Sequence, residues 1–302
     1  TLYADKLNVT DEIQEVFTRQ IDEPKKEGYL KSQVPVLEKI TDRISSKVRE
    51  QYEENPYPRW VKAALNPNAQ SITEVLNDRI QLYSENIKNV SNPKILVAGC
   101  GTGKHSIATA SRFSNSEVTA IDLSLSSLAY AKRKTDETKL TNLLYMQADI
   151  LNLADLGKEF DIIESVGVLH HMSEPMTGWR VLTKLLKPGG LMRIGLYSQL
   201  ARQNIVEIRK EIRTLEVGTS EAEMRNFRRI IIDSSKASHQ QLTKSKDFFS
   251  LSTLRDLIFH VQEHHFTIPH IAHCLEELGL KFCGFGNQDI ISNFRVFHGK
   301  DA

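Results

Sequence analysis

Between Lys94 and Ser198 five short apolar runs alternate with amphipathic stretches of helical spacing, and this alternation constrains the fold more than any other feature of the 302-residue chain. The runs are Ile95–Ala98, Val118–Ile121, Leu143–Met146, Phe160–Ile163 and Leu191–Leu196. Strands that alternate with helices argue for βαβ units and a parallel sheet covered on both faces. Right-handed crossovers then narrow the topology to a doubly wound α/β fold, whose ligands bind outside the carboxyl ends of the strands.

The flanks have a different texture. Thr10 can cap a helix that begins at Asp11, and a second helix is expected from Val36 to Glu54, stopped by Asn55-Pro56-Tyr57-Pro58, because proline disfavours helix at the residue before it. A third is expected over Ile72–Ile87. A long, mostly helical stretch runs from Gln199 to Phe266. Thr267 can then cap a further helix with Pro269 in its first turn and Gly279 beyond its end. Two strand-like runs follow, Leu280–Phe285 and Phe294–His298, close enough to form an antiparallel pair. The expected organisation is a helical lobe over 1–90, an α/β core over 91–198, a helical insertion over 199–266, and a return of the core over 267–302.

The totals exclude several classes. With 39 basic and 38 acidic residues the net charge is +1, so nothing points to nucleic acid. No apolar run reaches the ~18 residues of a membrane span, and the first residues lack the basic and apolar regions of a signal peptide. Cys100, Cys274 and Cys283 are too few for a disulfide framework, and a reducing, cytoplasmic setting is expected. The chain begins without methionine, which suggests trimming or excision from a longer protein.

The sharpest motif is Val97-Ala98-Gly99-Cys100-Gly101-Thr102-Gly103, between an apolar strand and a helical pattern. Glycines there permit a tight turn and close approach of a ligand to the backbone. Asp122 closes the second run and can accept both hydroxyls of a ribose, with Leu123 beside it. Asp149 closes the third and can accept from an adenine amino group while a neighbouring backbone N–H, with Ile150 next in the chain, donates to the ring; either acid could instead be a helix N-cap. Gly-x-Gly-x-Gly lacks the spacing of a dinucleotide fingerprint, whose last glycine would fall at Lys104, and no Walker loop is present.

These residues resemble class I methyltransferases that use S-adenosylmethionine (SAM). Ile95 to Gly103 looks like the first motif of that family, Asp122, Asp149 and Phe160-Asp161-Ile162-Ile163 like the next three, and Leu186-Lys187-Pro188-Gly189-Gly190 like the turn before the fifth strand. The resemblance implies a seven-stranded, mostly parallel sheet, SAM as cofactor, S-adenosylhomocysteine as product, and Gly99, Cys100, Gly101, Gly103, Asp122, Leu123, Asp149, Ile150 and Glu164 around the cofactor. The family usually places an acid where Val97 stands. Tyr52 to Trp60, Leu196-Tyr197-Ser198 and Arg255 to His264 are similar to bacterial methyltransferase domains often fused behind tetratricopeptide repeats.

Methyl transfer requires alignment of a nucleophile more than acid–base assistance. Glu164, His170, His171, His260 and Glu263 are the candidates for catalytic contact, and Tyr52, Tyr57, Arg59, Trp60, Tyr197 and His264 for contact with an N or O acceptor on a small metabolite or peptide side chain. The segment around Tyr52–Trp60 and the insertion around Phe248–His265 are expected to meet as a lid over strands four and five. A non-catalytic SAM-binding module is the alternative. Glu164 with Glu174 is similar to the glutamate pair of protein arginine methyltransferases, with poorly matching flanks. His260-Val261-Gln262-Glu263-His264 fits an inverted zinc-peptidase pattern if it lies on a helix, but no metal is expected.

Overall fold

A computed structural model describes residues 9–63, 65–77, 85–286, 291–294 and 296. Five parallel strands, β1 (Lys94–Ala98), β2 (Glu117–Asp122), β3 (Leu143–Gln147), β4 (Phe160–Val166) and β5 (Leu186–Gly195), lie in the order β3-β2-β1-β4-β5. The order reverses between β1 and β4, which opens the crevice where doubly wound sheets bind ligands. Alternation along β1 sends Ile95 and Val97 into one apolar core and Leu96 and Ala98 into another, so the strand is covered on both faces.

The N-terminal lobe comprises α1 (Asp11–Phe17), a π-turn, α2 (Glu23–Lys31), α3 (Arg43–Glu54), α4 (Ile72–Asn77) and α5 (Glu85–Lys88). Thr10 stands at the N-cap of α1 without a capping side-chain bond. The expected helix from Val36 begins only at Arg43, because Asp42 caps there, accepting from the Ile44 and Ser45 amides. The chain before it is held extended: Leu37 N–H donates to Gln147 O and Gln147 N–H to Pro35 O, so this segment docks on the end of β3. The helix expected over Ile72–Ile87 is described as α4 and α5, with the intervening stretch outside the described residues.

Helices α6 (Lys104–Arg112) and α7 (Leu125–Asp136) follow β1 and β2, and α8 (Pro175–Lys184) precedes β5. The insertion contributes α9 (Gln203–Thr214), α10 (Glu221–Ile232), α11 (Ala237–Leu242) and α12 (Leu251–Ile258), which bury a core of their own around Ile208, Phe227, Phe248 and Leu254. Helix α12 ends at Ile258, and residues 260–265 run irregularly. His260 and His264 therefore do not share a helical face, which removes the geometry the zinc-peptidase pattern needs. Helix α13 (Ile268–Glu277) is capped by the Thr267 hydroxyl, as expected, and Gly279 takes φ +66° after its end. Leu280–Phe285 forms no strand; 291–294 and 296 are helical, and the rest of the second expected strand lies outside the described residues. Five strands, rather than seven, are present among the described residues.

Candidate active site

The loop after β1 turns sharply, with φ of +78°, +52° and +86° at Gly99, Gly101 and Gly103. Crowding enforces glycine as well. A Cβ at Gly99 would lie 2.2 Å from Val168 Cγ2, and one at Gly101 would lie 2.9 Å from the Tyr57 carbonyl. The loop is tied to β2 from below: Gly99 and Cys100 donate to Ile121 O at 2.9 and 2.8 Å, and Gly101 N–H donates to Asp122 Oδ2 at 2.8 Å. Asp122 Oδ1 accepts from Ser124 N–H at 2.9 Å. Each oxygen of Asp122 keeps a further lone pair, which is what a vicinal diol requires. Burial, the largest influence, raises the Asp122 carboxyl pKa, and the backbone donors partly counter it. These residues fit the ribose and methionine portions of SAM: a half-buried dual acceptor at the end of β2 stands beside a turn with glycine at three of its five positions.

A cleft of about 400 Å³ lies nearby, lined by Leu125 and Gln147 from the core and by Lys31, Arg49, Glu50, Glu53 and Glu54 from the lobe. Glu53 caps α7 from another part of the chain. Its Oε1 accepts from Leu125 N–H at 2.5 Å and Ser126 N–H at 3.3 Å, and its Oε2 accepts from Ser126 Oγ and Lys31 Nζ. A carboxylate at a helix N-terminus satisfies orphan donors and the dipole together. Asp149 is also a cap: its Oδ1 accepts from Leu151 N–H at 3.1 Å at the start of the 3₁₀ turn Ile150–Leu156.

The strap from Tyr57 to Val61 is fastened over the glycine loop. Thr102 Oγ1 donates to Pro58 O, Trp60 Nε1 to Thr102 O at 3.2 Å, and Tyr130 OH to Trp60 O. The Tyr57–Pro58 peptide is cis. Trp60 is buried in the core, whereas Arg59 is exposed. Tyr57 is half-buried and its phenol is pushed above the usual range, chiefly by burial.

Beyond Val168 the chain enters a buried column of rings. Arg202 stacks on Tyr197 at 4.0 Å, Tyr197 on His170 at 3.8 Å, His170 meets His171 edge-on at 4.3 Å, and His171 stacks on His260 at 3.6 Å. His260 Nε2 lies 3.1 Å from Tyr52 OH, which lies 2.6 Å from Asp256 Oδ1. The Gln262 carbonyl stands 2.6 Å from His171 Nδ1 and 2.8 Å from His260 Nδ1. His170 is wholly buried with neither ring nitrogen hydrogen-bonded. Burial and the neighbouring cations and imidazoles depress the histidines, His170 to about 2 and His171 to about 4, and His260 falls well below its usual value. Burial likewise raises Asp256 to about 6 and Tyr197 to about 12.

The structure thus brings together Tyr52, His170, His171, Tyr197 and His260, and it joins the N-terminal segment to the insertion, with Arg255 also pairing Glu54 at 2.6 Å. Two other candidates point elsewhere. Glu164 lies in register with Val97 and is buried against α6, where it meets His105 Nε2 at 2.9 Å, Thr109 Oγ1, and Arg112 at 3.8 Å. Burial alone would raise its pKa, but His105, Thr109 and Arg112 hold it at about 2. Glu263 is clasped by Arg202 at 2.8 and 2.6 Å and by His265 at 2.6 Å. His264 donates its amide to His170 O and places Nε2 2.9 Å from Gln262 Nε2. Asp256, Gln262, Arg202 and Glu53 were not foreseen; a buried-looking acid in Leu254-Arg255-Asp256-Leu257-Ile258 was the one available signal. Among the described residues no group of three His, Cys, Asp or Glu side chains is placed to hold a metal ion, and no helix is long and apolar enough to cross a membrane.

Residues 95–190 match a family described as a methyltransferase domain. An uncharacterized protein of Synechococcus sp. is 30% identical over 222 residues, 70% of this chain and 53% of its own length. An uncharacterized protein of Rickettsia prowazekii is 28% identical over 176 residues, 58% of this chain and 65% of that one. A ubiquinone biosynthesis O-methyltransferase of Pseudomonas fluorescens is 32% identical over 113 residues, 37% of this chain and 47% of that one. The chain therefore spans about half to two thirds of these relatives. Among solved structures PKMT2 from Rickettsia typhi superposes with a TM-score of 0.52 at 20% identity, covering 68% of this chain and 44% of that one. PKMT2 has also been solved in complex with AdoHcy. The central α/β region of this chain thus resembles a methyltransferase domain in sequence, and about two thirds of the chain shares the fold of PKMT2.

Proposed function

We propose that the protein transfers the methyl group of SAM to a nitrogen or oxygen nucleophile of a small metabolite or peptide side chain, without a metal. Bound SAM supplies a methyl already activated by a sulfonium. The observation that carries the reading is adjacency: Val168 closes on Gly99, its carbonyl accepts the His171 amide at 2.8 Å, and the buried imidazole column starts there. Asp122 would hold the ribose hydroxyls, and the glycine loop would border the methionine portion. Asp149, as a cap, would leave its remaining acceptor capacity to the adenine. His171, whose Nδ1 is taken by the Gln262 carbonyl, would offer a polar acceptor its Nε2, with the stacked rings of His170 and Tyr197 behind it as a rigid, dry wall that favours alignment of a neutral nucleophile. With its pKa held at about 4, His171 would be a weak base, so its contribution would be alignment more than proton removal.

A second reading, a SAM-binding module without turnover, draws on Val97, which is fully buried and apolar where related domains carry an acid. Glu164, in register beside it on β4, is committed to α6. Two measurements separate the readings. Calorimetry with SAM and S-adenosylhomocysteine tests the site, and release of S-adenosylhomocysteine with a panel of amine and hydroxyl acceptors tests transfer. Absence of SAM binding would sink both readings; binding without product across the panel would favour the module.

A further inference from the structure

We propose that Asp256 and Tyr52 are positioning residues that set the tautomer of His260, and with it how much of the Gln262 carbonyl is left to His171. The inference rests on the placement of the acceptor beside His171 proposed above. It follows from counting protons along one chain of contacts. A carbonyl oxygen cannot donate, so His171 Nδ1, 2.6 Å from Gln262 O, must carry its hydrogen. Its Nε2 is then the lone pair. His171 is fixed in this tautomer whatever happens next to it.

His260 has a choice. Its Nδ1 lies between two groups of Gln262, the carbonyl oxygen at 2.8 Å and the amide nitrogen at 3.2 Å. One can only accept and the other can only donate. Either tautomer of the ring therefore finds a partner at Nδ1, and the choice is made at the other nitrogen. There Nε2 faces Tyr52 OH at 3.1 Å, and Tyr52 OH faces Asp256 Oδ1 at 2.6 Å. The phenol has one hydrogen for these two neighbours.

When Asp256 carries a proton it donates to the Tyr52 oxygen. Tyr52 then donates to His260 Nε2, and His260 Nδ1–H donates to Gln262 O. The carbonyl is shared between two imidazoles. When Asp256 is ionised it accepts from Tyr52, whose oxygen accepts from His260 Nε2–H, and the Gln262 amide donates to Nδ1. The carbonyl is then left to His171 alone. The first arrangement holds three protons, on Asp256, Tyr52 and His260 Nδ1. The second holds two, on Tyr52 and His260 Nε2. One proton goes to solvent, and solvent also carries the exchange between the ring nitrogens. An unshared carbonyl is the stronger acceptor for His171 Nδ1–H, and this raises the basicity of Nε2, the ring nitrogen that the proposed function leaves to the acceptor.

The switch is placed in a usable range by its surroundings. Burial raises Asp256 to about 6, helped by Asp247 and Glu263 and opposed by the Tyr52 hydrogen bond and Arg202. His260 is kept neutral through that range by burial and by His171, Arg209 and His170. Ionisation of Asp256 is therefore answered by a change of tautomer and not by protonation of the ring.

The test is long-range ¹H–¹⁵N correlation on the ¹⁵N-histidine-labelled whole chain, titrated from pH 5.5 to 7.5 without ligand. In the wild type His260 should pass from the Nδ1–H to the Nε2–H tautomer near pH 6, and His171 should remain Nδ1–H throughout. Asp256→Asn removes the titrating group and Tyr52→Phe cuts the chain, so in both the pH-linked change at His260 should vanish while His171 is unaltered. A single His260 tautomer across the wild-type titration, protonation of His260, or His171 as Nε2–H would overturn the proposal. Because the wild-type reading needs neither variant nor turnover, a variant that fails to fold does not remove the test. A tautomer switch in a protein that transfers no methyl group would refute the functional reading and leave this one standing.

Discussion

Acidification should loosen the insertion from the core, and the ring column sets the size of the effect. His170 and His171 are neutral in the fold with pKa values near 2 and 4, against about 6.5 for an unfolded histidine. A depressed histidine contributes stability that is present above the unfolded pKa and is lost as pH falls, because the unfolded chain takes up protons the fold refuses. Relative to pH 7 the two rings together should lose about 4 kcal/mol by pH 5 and about 6 kcal/mol by pH 4. His260, also depressed, adds to this loss. Asp256 works in the opposite direction. Its raised pKa destabilises the fold when ionised, so protonation returns roughly 1 kcal/mol by pH 5 and roughly 2 kcal/mol by pH 4. The net loss from His170, His171 and Asp256 alone is about 3 kcal/mol at pH 5 and about 4 kcal/mol at pH 4, a large part of an ordinary domain's ~5–15 kcal/mol. Thermal unfolding by circular dichroism, with limited proteolysis of the 199–266 segment, should show the transition falling steeply between pH 6 and 4.5. His170→Phe keeps a ring against Tyr197 and removes one titrating group, so its pH slope should be shallower by about one proton. Stability that stays flat from pH 7 to 4.5, or an unchanged slope in His170→Phe, would refute the reasoning.

Asp122→Ala should weaken SAM and S-adenosylhomocysteine by about 10–150-fold through loss of roughly 1.5–3 kcal/mol of charge-assisted hydrogen bonds, measured by calorimetry; unchanged affinity would remove Asp122 from the site. Glu263→Ala leaves the half-buried Arg202 and Arg209 without their counter-charge and should cost about 3–5 kcal/mol in denaturant unfolding, whereas a stability within 1 kcal/mol of wild type would show that the buried ion pair is not a structural tie. Exhaustive chelation should leave methyl transfer intact, and activity lost with stoichiometric zinc and restored by it would contradict the metal-free reading.

The core was legible because its signal is local. Each of the five apolar runs became a strand, and the glycine loop fell between β1 and α6 where the motif places it. The ring column proposed for the acceptor side was legible only in its membership. Tyr52, His170, Tyr197 and His260 do converge, yet the sequence could not say that Glu263 turns away to Arg202, since that is a contact across 61 residues. Periodicity also misled at two ends. The helix expected from Val36 gives way to an extended segment because Gln147, more than a hundred residues on, offers it backbone partners. The helical pattern through His260–His264 breaks off at Ile258, where the carbonyls of Ile258 and His260 are taken by the Arg209 guanidinium. A tertiary donor reaching these carbonyls outweighs a propensity worth tenths of a kcal/mol per residue.

The end of α3 shows how the two halves of the site are held in one frame. Successive residues of a helix point about 100° apart, so one turn can reach several walls. Tyr52 reaches into the insertion, to Asp256 and His260; Glu53 reaches the rim of the cofactor crevice, to the Leu125 and Ser126 amides; Glu54 pairs with Arg255 on α12. Lys31 of α2 joins Glu53, and the strap that follows closes over Gly101. The lobe does not pack on the core through apolar contacts alone. It inserts a carboxylate into the N-terminus of α7, next to Asp122, where any anionic group on the ribose would otherwise find free amides. With those amides already taken and a second carboxylate beside them, a ribose bound at Asp122 as proposed would be a plain diol and not a phosphorylated one. The same helix end thus caps α7 beside Asp122 on one side and meets the imidazole column on the other, and both follow from a tyrosine and a glutamate adjacent in sequence.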